Sequence, residues 1–138
     1  MNAKNILTGG LAGGAALLVF LMASSWMISL IIPYQPSAYG GMRAMDDPIM
    51  LLFFMYPFVV AFVQAAVFDQ VKGSLAGISP ITKGLHFTGI TFLLMAIPSL
   101  FVMYTSMTWP VYFYISTLIW EVVGYTFTGF LFVKIWKM

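Results

Sequence analysis

Cysteine is absent from this 138-residue chain, which excludes disulfides, thiolate zinc sites, iron–sulfur clusters and covalently attached haem within it. The single histidine, His86, excludes an intrachain pair of axial imidazoles. Charge is scarce too: 7% of residues are charged, against about 25% in soluble domains. A net charge of +2 spread over scattered lysines makes no nucleic-acid surface. There is no Ser/His/Asp set and no phosphate-binding glycine loop. The acids Asp46 and Asp47 adjoin, but Asp47 is expected to cap a helix. Enzymatic activity is not expected.

What the chain has in excess is apolar surface. It is 62% hydrophobic and 17% aromatic, with a mean hydropathy of +0.98. A soluble fold of this size could not hide so much, so the excess must face lipid. Four nearly uncharged stretches reach the ~20 residues that cross a bilayer. They cover about 6–32, 48–68, 80–105 and 109–134, giving an all-α bundle of four transmembrane helices in one domain over 1–138. The first continues past the ~7–15 apolar residues of a signal core, which marks it as a retained membrane helix. Proline stands at three starts: Asp47-Pro48 and Ser79-Pro80 each read as a cap followed by the first helical position, and Thr108-Trp109-Pro110 opens the last.

Orientation follows from basic residues. Lys4, Lys72, Lys83, Lys134 and Lys137 fall on one side, and Arg43 on the other, which predicts both termini in the cytoplasm. Tyr34, Tyr39, Tyr104 and Trp109 suit the outer boundary, and Trp136 the inner one. A bias of this kind suits a prokaryotic plasma membrane. The two halves also share a loose pattern, with a lysine before each outward helix and X-Pro before each inward one, so parallel repeats are an expectation.

Glu121 lies near the middle of the fourth stretch, far from any loop. It sits eleven residues beyond Pro110, roughly 17 Å deep at ~1.5 Å per residue. Helical spacing puts Tyr114, Thr117, Gly124, Tyr125 and Thr128 on its face, while Leu118, Ile119, Val122, Val123, Phe130 and Phe132 supply apolar surface elsewhere. The polar stripe should point inward. Ser25, Tyr56 and Ser99 fall somewhat outward of the acid on other helices, and Gln64 deeper. Pro57 and Pro98 each free a carbonyl one turn earlier, at Phe53 and Leu94. No basic residue lies near this depth, so the neutral, protonated acid is favoured there. Two roles follow: interhelical glue, or a proton- or cation-binding group lined by Tyr125, Thr117, Tyr114, Ser25, Tyr56 and Ser99.

The run Trp120-Glu121-Val122-Val123-Gly124-Tyr125-Thr126 resembles the acid-bearing helix of small multidrug resistance transporters, roughly Ala-Glu-Val-Ile-Gly-Thr. The resemblance implies four helices and an embedded glutamate that binds protons or cationic drugs in turn. It spans seven residues. This chain differs in carrying the acid in its fourth helix, in its greater length and in its stronger charge bias.

Other features suggest further roles. Gly9, Gly10, Gly13 and Gly14 form two overlapping G-x-x-x-G spacings, a surface for close helix contact. With short loops and no catalytic set, they point to a protein that works by assembly, with itself or with other subunits of a membrane complex. Met42 and Met45, and Met103 and Met107, have spacings that could offer thioethers to Cu(I). His86 is expected at the membrane boundary, hydrogen-bonded to Asp69. The expected partners are the lipid bilayer and other membrane subunits; the sequence assigns no cofactor.

Overall fold

The computed structural model describes residues 2–31, 43, 46–75 and 79–138. Met42, Met45, Tyr34 and Tyr39 lie outside the described residues. Among the described residues every regular element is helical, and four helices are long and apolar enough to span a membrane: Ala3–Ile31, Pro48–Leu75, Pro80–Ser106 and Val111–Ile135.

The first span is one α-helix, α1 (Ala3–Ile31). The second opens as a 3-10 helix, Pro48–Met55, runs on as α2 (Tyr56–Val71) and ends in a 3-10 turn, Lys72–Leu75. The third is α3 (Pro80–Thr91), a π-helical stretch Phe92–Ala96, then α4 (Ile97–Ser106). The fourth is α5 (Val111–Ile135).

The start signals act as their chemistry dictates. Asp47 Oδ1 accepts from the Ile49 N–H at 2.9 Å, and Pro48 follows at the first helical position. That hydrogen bond, with the ion pair from Arg43 to Asp47 at 2.9 Å, holds the Asp47 carboxyl below its ordinary range. Ser79 Oγ accepts from the Thr82 N–H at 3.3 Å. Pro110 is itself the cap of α5, so that helix begins later than its sequence suggests.

The two interior prolines shape their own spans. Pro57 removes one donor to the Phe53 carbonyl, and the Tyr56 N–H takes that carbonyl in the tighter 3-10 pattern. Ahead of Pro98, the Ile97 N–H reaches back five residues to the Phe92 carbonyl, which gives the π-helical stretch. Phe53 is thus not left as a free acceptor for the buried acid.

The second span also continues past Asp69, where its charge suggests a stop. Asp69 is only 6% exposed, because three donors converge on its carboxylate. They are the Asn2 backbone N–H at 2.9 Å, the Trp136 indole Nε1 at 2.8 Å, and the Lys72 ammonium. This junction ties the start of α1 and the end of α5 to the end of α2. All five lysines lie at the same end of the bundle, hereafter the terminal end.

Packing is concentrated there. In α1 the buried residues run from Gly9 to Leu17 and stop; α4 has none, nor does the 3-10 start of the second span. In α5 burial begins at Trp120. α1 lies extensively along α2 and also against α5, while α3 covers the other side of α5. The counterpart contact, α3 with α2, is much smaller, so the two halves do not pack as equal repeats.

The four glycines of α1 explain its close contacts. Gly10 and Gly14 face Phe62 and Phe58 of α2, where an added Cβ would lie 2.3 and 2.4 Å from a ring carbon. Gly9 and Gly13 face Phe132 of α5, with Trp136 beyond Gly9 and Ala61 beyond Gly13. Both glycine faces are therefore occupied within the chain. Between α3 and α5 the same device recurs: a Cβ at Gly129 would meet the Gly84 carbonyl at 2.7 Å.

Candidate functional site

Glu121 sits where close packing starts. It is 2% exposed, and together with Trp120 it is the first buried residue along α5. Around it lies an apolar cluster of Leu17, Val60, Ala61, Ala96, Trp120 and Tyr125. Gly124, one turn on, makes room for Leu17, which an added Cβ would approach to 2.7 Å. The carboxyl oxygen Oε2 is buried without a hydrogen-bond partner in the protein, and so is the indole Nε1 of Trp120. The hydroxyls of Tyr56 and Tyr125 lie within electrostatic reach of the carboxyl.

Below Glu121 the polar stripe continues. Tyr125 is 1% exposed, and its ring meets Trp120 edge-on at 6.3 Å. Its carbonyl accepts from the Thr88 hydroxyl of α3 at 3.2 Å. Thr128 donates its hydroxyl to Gln64 Oε1 at 2.8 Å, joining α5 to α2 in full burial. Gln64 Nε2 is left without an acceptor. An apolar plug follows: Phe68, Phe87 and Phe132 meet edge-to-face with centroids 4.9 to 5.9 Å apart. Beyond that plug lies the Asp69 junction.

The stripe therefore faces inward over part of its predicted length. Glu121, Gly124, Tyr125 and Thr128 are buried, as is Phe132, which was expected to supply apolar surface away from this face. Phe132 continues the spacing of Tyr125 and Thr128, and that register was the signal for it. Thr117 is half-buried and turned to its own helix, its hydroxyl donating to the Phe113 carbonyl at 3.0 Å. Tyr114 spans to the end of α4, donating to the Met107 carbonyl at 2.8 Å.

Of the three outward candidates, Ser25 and Ser99 do not gather at the acid. Ser25 is exposed on α1. Ser99 is exposed on α4 and donates to the Met103 thioether at 3.7 Å. Tyr56 is 42% exposed, with its ring 6.2 Å from that of Trp120. Gln64, read only as a deeper polar residue, proves to be a central member. His86 is exposed on α3, and the Asp69 carboxylate is occupied by Asn2, Lys72 and Trp136 instead. Among the described residues no group of three His, Asp or Glu could hold a metal. Met103 is half-buried and Met107 exposed; Met42 and Met45 lie outside the described residues.

No protein family, curated relative or solved structure matches the chain. The seven residues that resemble the small multidrug resistance helix stand without a wider match.

Proposed function

We propose that this is an integral membrane protein that binds a proton or small cation at Glu121 and couples that binding to transport. One observation carries the reading: the Glu121 carboxyl is buried, yet its Oε2 bonds to nothing in the protein. An acid serving as interhelical glue would spend that oxygen on a neighbouring helix, as Thr128 spends its hydroxyl on Gln64. A buried polar atom left unpartnered is costly, and an ionisable group inside a membrane span is by default a functional one. Its position supports access. Glu121 lies at the rim of the packed half, with the unburied halves of α1, α4 and α5 on one side and the aromatic plug on the other.

In this reading the lysine-rich terminal end faces the cytoplasm, and Arg43 stands at the outer surface. Such a bias suits a prokaryotic plasma membrane. Proteoliposomes test the reading: an imposed pH or cation gradient should drive flux through the native chain. Glu121→Gln should abolish that flux while the protein remains folded. Equal flux through both removes the role of Glu121.

Assembly is a second reading, and a different observation favours it. Among the described residues, the half of the bundle opposite the termini buries almost nothing, and between α4 and α5 it holds an apolar groove of about 320 Å³ lined by Leu100, Phe101 and Ile115 among others. The glycines do not support assembly, since both of their faces are filled from within. Extraction in mild detergent should then yield a defined oligomer or complex that Phe101→Ser dissociates. A monomer before mutation contradicts it.

A further inference from the structure

A second site lies at the terminal end, away from Glu121. Between α1 and α5 runs a groove of about 600 Å³ whose rim carries Lys4, Lys134 and Lys137. Its floor is apolar, formed by Ala12, Leu131 and Ile135, and no acidic residue lines it. Among the described residues the ion pairs are Arg43–Asp47 and Lys72–Asp69, so none of these three lysines is neutralised. The nearby Thr8 hydroxyl is already donated to the Lys4 carbonyl at 2.9 Å. Recognition in the groove thus falls to three ammonium groups outside any ion pair, with the Asn5 side chain beside them, above an apolar wall.

The backbone supplies an independent observation. α5 ends in a Schellman arrangement: Met138 N–H bonds to the Val133 carbonyl at 3.0 Å and Lys137 N–H to the Lys134 carbonyl at 3.2 Å. The left-handed position of this motif, normally glycine, is Lys137 at φ 53. A side chain there costs about 1 kcal/mol or more. Among the described residues it is the one non-glycine residue with positive φ. Lys137, held in this strained backbone, is itself one of the residues that line the groove. Strain kept at a charged groove points to use of the side chain.

We propose that this groove binds an anionic phospholipid, its phosphate held by Lys4, Lys134 and Lys137 and an acyl chain laid along Leu131 and Ile135. The ligand carries negative charge because every charged residue that lines the groove is a lysine. It is a lipid because the floor is apolar and opens along the flank of the bundle. Basic clefts between membrane helices on the cytoplasmic side suit such headgroups. The inference rests on membrane insertion with this end at the inner leaflet, but not on transport by Glu121.

Native mass spectrometry of the full chain in detergent tests it, with phosphatidylglycerol and phosphatidylcholine of matched acyl chains added together. Phosphatidylglycerol should load preferentially, and each single change, Lys4→Gln, Lys134→Gln or Lys137→Gly, should lower that preference about fivefold. Lys137→Gly is the sharper variant. It relaxes the backbone, so the chain should melt no lower than the native one while still losing phosphatidylglycerol. Equal loading of the two lipids by the native chain overturns the proposal, as does preference retained in the triple variant. Displacement of phosphatidylglycerol by millimolar inorganic phosphate would also overturn it, by making the site one for free anions.

Discussion

Glu121 and Thr128 share one face of α5 but solve burial differently. Thr128 donates directly to Gln64 Oε1, so removing its hydroxyl strands a buried acceptor. Thr128→Val is expected to cost about 1 kcal/mol, since interhelical hydrogen bonds of this kind are modest in membranes. Adding Gln64→Leu should recover part of that loss, because it removes the stranded oxygen together with an Nε2 that has no acceptor. Reversible unfolding in mixed micelles measures both, and costs that simply add would contradict a direct bond. Glu121 was legible in the sequence as the one acid far from a loop, and helical spacing named its buried neighbours Gly124, Tyr125 and Thr128. Gln64 was not legible as its counterpart. Which residue of α2 opposes α5 depends on how far the two helices slide past each other, and spacing within one helix does not record that.

At the level of elements, the four spans were legible because length, hydropathy and proline all pointed to the same boundaries. The exception is instructive. Asp69 reads as a stop because an unpaired carboxylate cannot enter lipid, yet Asn2, Lys72 and Trp136 satisfy it and the helix runs on to Val71. Asn2 and Trp136 are distant in sequence, so local pattern could supply only Lys72, three residues on. The glycines were legible as contact points but not as internal ones. Their surroundings now rank the expected damage. Gly129→Ala drives a methyl into the Gly84 carbonyl, and Gly14→Ala into the Phe58 ring and its Cα at 2.8 Å. Both should cost about 1–3 kcal/mol, the usual range for overpacking. Gly13→Ala meets the Ala61 Cβ at 3.2 Å and should be milder. Thermal melting in detergent orders the three; Gly13→Ala as the worst would refute the α1–α2–α5 packing described here.

For the whole molecule, close packing at the terminal end and open helices opposite it give the bundle a polarity that matches its charge. The absence of cysteine lets single cysteines report it without a background. In intact cells Arg43→Cys should react with a membrane-impermeant maleimide, and Asn2→Cys should react only after lysis. The reverse pattern would invert the orientation. Within the bundle, the polar stripe from Glu121 to Gln64 ends at the Phe68, Phe87 and Phe132 plug, so protons should reach the acid from the open half. Glu121 is expected to exchange its proton or cation with the outside. Infrared difference spectroscopy of the reconstituted chain during a pH titration reads this directly. A carboxyl band should vanish and return reversibly with pH, and be missing in Glu121→Gln. A Glu121 band that stays fixed throughout would show a sealed structural acid and contradict the account.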